Sequence, residues 1–251
     1  MLSTEFTQLE QLAADANTHP HTRTRINLLL AAQADYYQKL ANTMNQSPSQ
    51  LRQDCFVLTE LNFKTHGYFV EFGASDGVSN SNTWLLEKHF GWSGILAEPA
   101  KAHHAELFKN RSCDISTDCV YTETGLSLTF NQVHASAELS TLDKYSNSDF
   151  HAGTRQNGVK YQVPTISLVD LLKKYNAPTE IDYISFDTEG SELEIMQAFD
   201  WNQYRIKIIT CEHNHTNARE QINEFLSSKG YERRHAEFSD FDDWYVLKDS
   251  Q

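Results

Sequence analysis

The sequence predicts an α/β fold: a mostly parallel sheet with helices on both faces, closed by a C-terminal antiparallel hairpin. Three observations carry this. From Leu51 onward, short apolar runs alternate with amphipathic ones, the pattern of parallel strands joined by crossover helices. The first such run, Tyr68–Phe72, leads straight into a glycine turn, Gly73-Ala74-Ser75-Asp76-Gly77. The chain closes on Tyr231-Glu-Arg-Arg and Trp244-Tyr-Val-Leu247, two strand-like runs joined by an acidic segment without helical period.

Taken in order, residues 1–50 form a helical extension ahead of a domain spanning 51–251. Leu9, Leu12, Ala13 and Ala16 recur at helical spacing, as do Ile26, Leu29, Leu30, Tyr37 and Leu40. His19-Pro20 and Ser47-Pro48 punctuate the two runs. The extension is either a cap on the domain or a homodimer surface. Strands are expected at Tyr68–Phe72, 95–97, 116–121, 183–186 and 206–211. Helices are expected at Trp84–Phe90 and along three apolar stripes. These stripes are Leu168, Leu171, Leu172 and Tyr175; Leu193, Met196 and Phe199; and Ala218, Ile222, Phe225 and Leu226. Residues 134–160 break the alternation, being polar and turn-rich. A loop of that length inside a domain is a lid or binding loop, or plain surface. Leu142, Tyr145 and Phe150 are the residues expected to anchor it.

The chain has 251 residues and a formal net charge of -13. That length fits one large domain with a small appendage. The charge excludes a non-specific grip on nucleic acid, which needs clustered Lys and Arg. No apolar stretch approaches the length of a membrane span, and the N-terminus lacks a basic-then-apolar leader pattern. The four cysteines, Cys55, Cys113, Cys119 and Cys211, show no metal-ligand spacing. A reducing cytoplasm is the expected setting, so the glycosylation sequons at Asn110 and Asn214 are set aside.

The glycine turn has a chemical reading. Glu71-x-Gly73-x-x-x-Gly77 lets the backbone turn sharply beneath a ligand. A second strand, Gly94-Ile-Leu-Ala97, ends in Glu98, and an acid at that tip can accept both hydrogen bonds of a ribose diol. A dinucleotide site would need Gly-x-Gly-x-x-Gly, so that backbone N–H groups face a diphosphate. Here the spacing is broken and Glu71 and Asp76 add negative charge, which suits a sulfonium and an ammonium. The pattern therefore predicts S-adenosylmethionine (SAM); a ligand-free buried strand with a glycine turn is the plain alternative. Strand logic puts Glu71, Gly73, Ser75 and Gly77 along the methionine half, with Ala74 and Asp76 in the same loop. Asn82 is placed to reach the SAM carboxylate or ammonium, and Glu98, followed by Pro99, to bind the ribose. Asp118, near the end of the third strand, is either the adenine contact or a loop acid.

Chemistry in such a sheet belongs at the carboxyl ends of the fourth and fifth strands. These read Asp187-Thr-Glu189-Gly190 and Glu212-His213-Asn214. Asp187, Glu189, Glu212 and His213 are the catalytic candidates. Asp187, Glu212 and Asn214 make an oxygen-rich set for Mg²⁺ or Mn²⁺, whereas a metal-free route would use His213 as base. Glu189 has a second reading, as a cap on a helix beginning near Ser191. His215 and the pair His103-His104 are expected at the surface. No Lys or Arg stands within these motifs.

Together these residues resemble the FkbM family of SAM-dependent methyltransferases. The resemblance rests on Gln53-Asp-Cys-Phe56, on 67–77, on Ser81-Asn82-Thr83 and Leu86-Glu87-Lys88, and on 91–99. It continues through 181–192, Glu212-His213-Asn214 and Asp242-Asp243-Trp-Tyr245. The segments recur in the family's order over about residues 50–247; the helical N-terminus lies outside. The resemblance implies a class I, Rossmann-like methyltransferase fold, in which a terminal hairpin is usual. It implies SAM-dependent O-methylation of a sugar or glycan hydroxyl. Small molecules such as polyketides are an alternative acceptor. A non-catalytic glycan-binding or interaction module on the same fold is another reading. Such a module would tolerate loss of the loop acids or the strand-end acids, and this chain keeps both sets.

Overall fold

The computed structural model of the chain describes residues 7, 10–12, 14–15, 18–31, 36–134, 136–237 and 239–248. Leu9, Ala13 and Ala16 of the N-terminal pattern and Ala135 of the long loop lie outside the described residues. In chain order the strands are β1 (Tyr68–Phe72), β2 (Ser93–Ala97), β3 (Asp114–Ser116), β4 (Cys119–Tyr121), β5 (Ser127–Gln132) and β6 (Thr141–Leu142). They continue as β7 (Val159–Ser167), β8 (Glu180–Phe186), β9 (Arg205–Glu212), β10 (Tyr231–Arg234) and β11 (Asp242–Leu247). The main sheet has seven strands in the order β3-β2-β1-β8-β9-β11-β10. β1, β2, β3, β8 and β9 pair in parallel, and β11 runs antiparallel to both β9 and β10. The terminal hairpin is thus present, with its last strand inserted beside β9.

Both faces of this sheet are buried, as its near-continuous apolar strands require. One face carries α1 (Pro20–Ala31), α2 (Tyr37–Met44), α3 (Gln53–Glu60), α4 (Trp84–Phe90) and α5 (His104–Asn110). Leu28, Leu40, Met44, Phe56, Leu85 and Leu107 from these helices share a core with Phe69, Tyr183 and Trp244 of the strands. The N-terminal helices therefore cover the sheet. After a short helix, α6 (Ala152–Arg155), the other face takes α7 (Leu168–Lys174), α8 (Glu192–Ala198) and α9 (Ala218–Ser228). Their expected apolar stripes pack on Val70, Phe72, Ile184 and Ile209. The alternation of Phe69 to one core and Val70 to the other follows from the two-residue period of a strand. Among the described residues no helix is long and apolar enough to cross a membrane. The four cysteines are unpaired.

Two expectations need correction. The run at 116–121 is two strands. The Ser116 hydroxyl accepts from the Asp118 N–H (3.3 Å) and donates to its carboxylate (3.1 Å), a local bond that replaces the ladder and turns the chain. Beyond that kink β4 pairs with β7 in a second sheet of order β4-β7-β5-β6, with Cys119, Phe130, Leu142 and Val163 in its core. Residues 136–160 are accordingly an irregular segment carrying β6 and α6, tied to that sheet. Leu142 does anchor it, buried among those residues, but Phe150 is 68% exposed.

The stacking of Trp244 on Phe56, with ring centroids 4.7 Å apart, joins α3 to the end of the chain. Trp244→Ala is expected to cost about 3–5 kcal/mol in urea unfolding. A loss below about 1 kcal/mol would show that this contact does not hold the N-terminal face.

Candidate active site

The site forms where β1 and β8 end. Gly73 has φ +70°, and a Cβ there would collide with the Asp187 carbonyl oxygen. Only glycine lets the two strand tips approach this closely. The next residue but one, Ser75, donates its N–H to Glu98 Oε2 at 2.8 Å, while Ala100 N–H donates to Oε1 at 2.7 Å. Glu98 thus ties the turn after β1 to the tip of β2. Burial pushes its carboxyl up to about 7, with the nearby Glu71 charge adding to the effect and the two backbone donors opposing it.

A cavity of about 390 Å³ opens along these tips, lined by Gly73, Ser75, Asn82, Asp187, Glu189 and Glu212 among others. Beside it runs a narrow slot with an apolar wall of Pro99, Val120, Phe130 and Leu142 and with Glu98, Glu138, Asp187 and Glu189 on its polar side. Among the described residues no lysine or arginine lines either space. An apolar wall beside a carboxylate, opening into an acidic chamber, is the donor and acceptor set that a purine ribonucleoside carrying a sulfonium and an ammonium would need.

The loop residues divide by role. Glu71 and Asn82 line the cavity, but both are already engaged. Glu71 accepts from Asn82 N–H (2.6 Å), Ser81 Oγ (3.0 Å) and Thr83 Oγ1 (2.5 Å). The Asn82 amide donates to Ser185 Oγ and accepts from Ser49 Oγ. Three others turn away. Ala74 packs into the core at 2% exposure. Asp76 closes its own turn by accepting from Val78 N–H, Ser79 N–H and Ser79 Oγ. Gly77 leaves room for Arg111, whose guanidinium donates to its carbonyl. Asp118 pairs with Lys174 at 2.9 Å outside the slot, whose wall is Cys119 and Val120. The loop-acid reading of Asp118 is the one the geometry matches.

At the strand ends three acids converge. Phe186 and Cys211 are register partners of β8 and β9, so the residues that follow them, Asp187 and Glu212, stand side by side. Carboxylate oxygens of Asp187, Glu189 and Glu212 all lie within 4.8 Å of one another. Burial and the Glu192 charge push Asp187 up to about 7. Burial and the Asp187 charge push Glu189 and Glu212 well above the usual carboxylate range. No side chain caps α8 at Ser191; Glu192 instead braces the turn ahead of the helix, accepting from the N–H groups of Thr188 (2.8 Å) and Gly190 (3.1 Å). Glu189, in the left-handed region at φ +59°, is left facing the cavity. Asn214 also lines the cavity and donates to Glu189 Oε2 at 3.1 Å.

His213 does not join them. Its Nδ1 accepts from His215 N–H at 3.0 Å, and its Nε2 lies 3.8 Å from Asp243. It lines a neighbouring cavity that Glu212 and Asn214 also border, and is absent from the lining of the main one. His215 is at the surface as expected, but His104 Nε2 donates to the Glu98 carbonyl at 2.9 Å.

Three residues escaped the motif reading. Arg155 reaches the acids from the long loop, its side chain wholly buried, and donates to Glu189 Oε2 at 2.7 Å. Asp242 lines the same cavity and accepts from Gln53 Nε2 at 2.7 Å. Gln53 and Asp242 lie in segments that carried the family resemblance, which was their only signal. Arg155 had none, since a lone arginine in a polar loop reads as solvated.

A seven-stranded sheet with this order, an antiparallel last strand and a glycine turn tied to the acid at the tip of β2 is the class I SAM-dependent methyltransferase fold. A family model described as the methyltransferase FkbM domain matches residues 71–244, more than half of the chain, and the protein belongs to that family. Among solved structures it is similar to a precorrin-6y C5,15-methyltransferase from Geobacter metallireducens GS-15, at 12% identity and TM-score 0.43. That match covers 78% of this chain and 87% of the other. It is also similar to a protein assigned as a sarcosine dimethylglycine methyltransferase from Galdieria sulphuraria, at 14% identity and TM-score 0.35, covering 74% of this chain and 63% of that one. No curated protein sequence matches the chain.

The raised acids have a consequence for stability. Asp187 goes from an ordinary 3.8 to about 7 on folding, and Glu98 from 4.5 to about 7. Between those values the folded chain holds protons that the unfolded chain has released, so stability falls as pH rises through the window. The melting temperature of the ligand-free protein should drop from about pH 5 to about pH 8. Asp187→Asn and Glu98→Gln should each flatten that slope; a slope unchanged in both would contradict the assignment.

Proposed function

We propose that the protein transfers the SAM methyl group to a hydroxyl of a sugar or glycan. The observation that carries this reading is the convergence of Asp187, Glu189 and Glu212 within 4.8 Å beside the Gly73 turn. Gly73 and Ser75 would hold the methionine half of SAM, Glu98 the ribose, and the slot at Val120 and Phe130 the adenine. When bound, SAM supplies an electrophilic methyl group for in-line displacement.

The protein's task is the acceptor proton. An alcohol is a weak nucleophile until that proton leaves. Asp187, with its carboxyl near 7, is matched to accepting a proton at neutral pH, and Glu212 beside it can share the charge. The three carboxylates also fit a divalent cation, a hard ion that takes oxygen donors, which would lower the hydroxyl pKa instead. The remaining lining supports a carbohydrate. Gln50, Gln53 and Asn214 offer amides, and Phe150 and Phe241 offer rings, the mix of few polar groups and aromatic surface that fixes a polar ligand.

Calorimetry with S-adenosylhomocysteine (SAH) tests the cofactor half. Glu98→Ala removes a charge-assisted acceptor worth about 1.5–3 kcal/mol, so affinity should weaken about ten- to a hundredfold. An unchanged dissociation constant in the folded variant would remove Glu98 from the site. A methyl-transfer screen over glycans, amino acids and polyketides tests the acceptor half, with mass spectrometry locating the new ether. On the acceptor that supports turnover, Asp187→Asn should lower the rate by about a hundredfold or more and spare SAH binding. Activity lost to EDTA and restored by Mg²⁺ or Mn²⁺ would establish the cation route. Transfer to nitrogen or carbon alone would overturn the O-methyltransferase reading.

A further inference from the structure

Arg155 is an improbable residue to find buried. Its side chain is 0% exposed, and taking a guanidinium out of water is costly unless it is fully partnered. Here it is partnered on three sides. Nε donates to the Leu139 carbonyl (2.8 Å), Nη1 to Asp149 Oδ1 (2.8 Å) and Nη2 to Glu189 Oε2 (2.7 Å). Two of those partners lie in the segment 136–160 and the third belongs to the acid cluster. A buried pair of this kind often adds little net stability over an apolar contact of similar volume, so stability alone does not account for its place beside the acid cluster.

Glu189 needs such a partner. Its backbone is left-handed at φ +59°, a conformation that a glutamate adopts at a cost. Arg155 and the Asn214 amide both donate to its Oε2. The same segment touches Glu189 a second time, through the Thr141 hydroxyl, which donates to the Glu189 carbonyl at 2.9 Å. The segment also supplies cavity wall, through Glu138, Leu139, Phe150 and His151. Wall and acid are therefore mechanically joined.

We propose that Arg155 is a positioning residue for methyl transfer. It holds Glu189 against Asp187 and Glu212 only while residues 136–160 are seated as cavity wall, so seating the segment and assembling the acids are one event. The claim rests on the methyltransferase reading for the reaction it serves, not for the coupling itself.

Hydrogen exchange on the full chain, with and without SAH, tests the coupling in Arg155→Lys, Arg155→Met and Glu189→Ala. In Arg155→Met and Glu189→Ala, exchange across 136–160 should rise about tenfold or more while β1, β8 and β9 keep their protection. Arg155→Lys, which keeps a charge within reach of Glu189, should restore part of the protection. The double variant should be no worse than either single one, as for residues acting as a unit. With the acceptor, Arg155→Met should lower kcat about a hundredfold, Lys should recover part of it, and SAH affinity should hold. Unchanged exchange in Glu189→Ala, which removes the acceptor, would overturn the proposal, as would loss of protection throughout the sheet or absence of any rescue by Lys. Should Arg155→Met fail to fold, Glu189→Ala decides alone. Failure of the wild-type chain to bind SAH would instead count against the methyltransferase reading, and the exchange result would still stand.

Discussion

Like charges held close together at the ends of two neighbouring parallel strands are the constraint on which this site depends. β8 and β9 deliver Asp187 and Glu212 side by side because their last paired residues are in register, and the turn after β8 brings Glu189 to the same point. Carboxylates at this range cannot all ionise without compensation. The fold supplies some of it: Arg155 and Asn214 on Glu189, and Gln53 on the neighbouring Asp242. The remainder is met by protons or by a cationic ligand. On the proposed reading, a chamber built this way would discriminate by charge before shape, favouring a sulfonium and an ammonium over a diphosphate.

The rest of the architecture serves to hold that chamber in place. Gly73 lets β1 meet β8 without a side chain between them. Glu98 fastens the turn after β1 to β2. The second sheet, with Phe130 and Leu142, closes the slot beside Glu98. The N-terminal helices lead into Ser49 and Gln53, which bond to Asn82 and Asp242 at the cavity wall. Ser49, which lies outside the family resemblance, thus packs behind Asn82 of the site.

How much of this could be read from sequence followed from how local each signal is. β1, β8 and β9 announce themselves as apolar runs, and the acids at their ends inherit their placement from the strands. Glu98 was legible for the same reason. His213 could not be told from its neighbours by sequence: it follows the last residue of β9, and its ring is drawn to the His215 N–H and toward Asp243 by the turn beyond the strand. Asp76 and Asp118 look like ligands in a motif, yet each is consumed by its own neighbourhood, Asp76 by Val78 and Ser79 and Asp118 by Lys174. The second sheet was hidden because β5, Ser127-Leu-Thr-Phe-Asn-Gln132, is half polar and only partly buried. Arg155 was hidden more deeply still. Its role exists only through contacts between separate parts of the chain, and no spacing or period encodes those.

A structure of the protein with SAH bound tests the central claim most directly. The account requires the ribose diol on Glu98, the adenine between Val120 and Phe130, and the homocysteine sulfur facing Asp187 across the Gly73 turn. SAH bound elsewhere, or bound here with Glu98 still pointing only at the Ser75 and Ala100 amides, would contradict it.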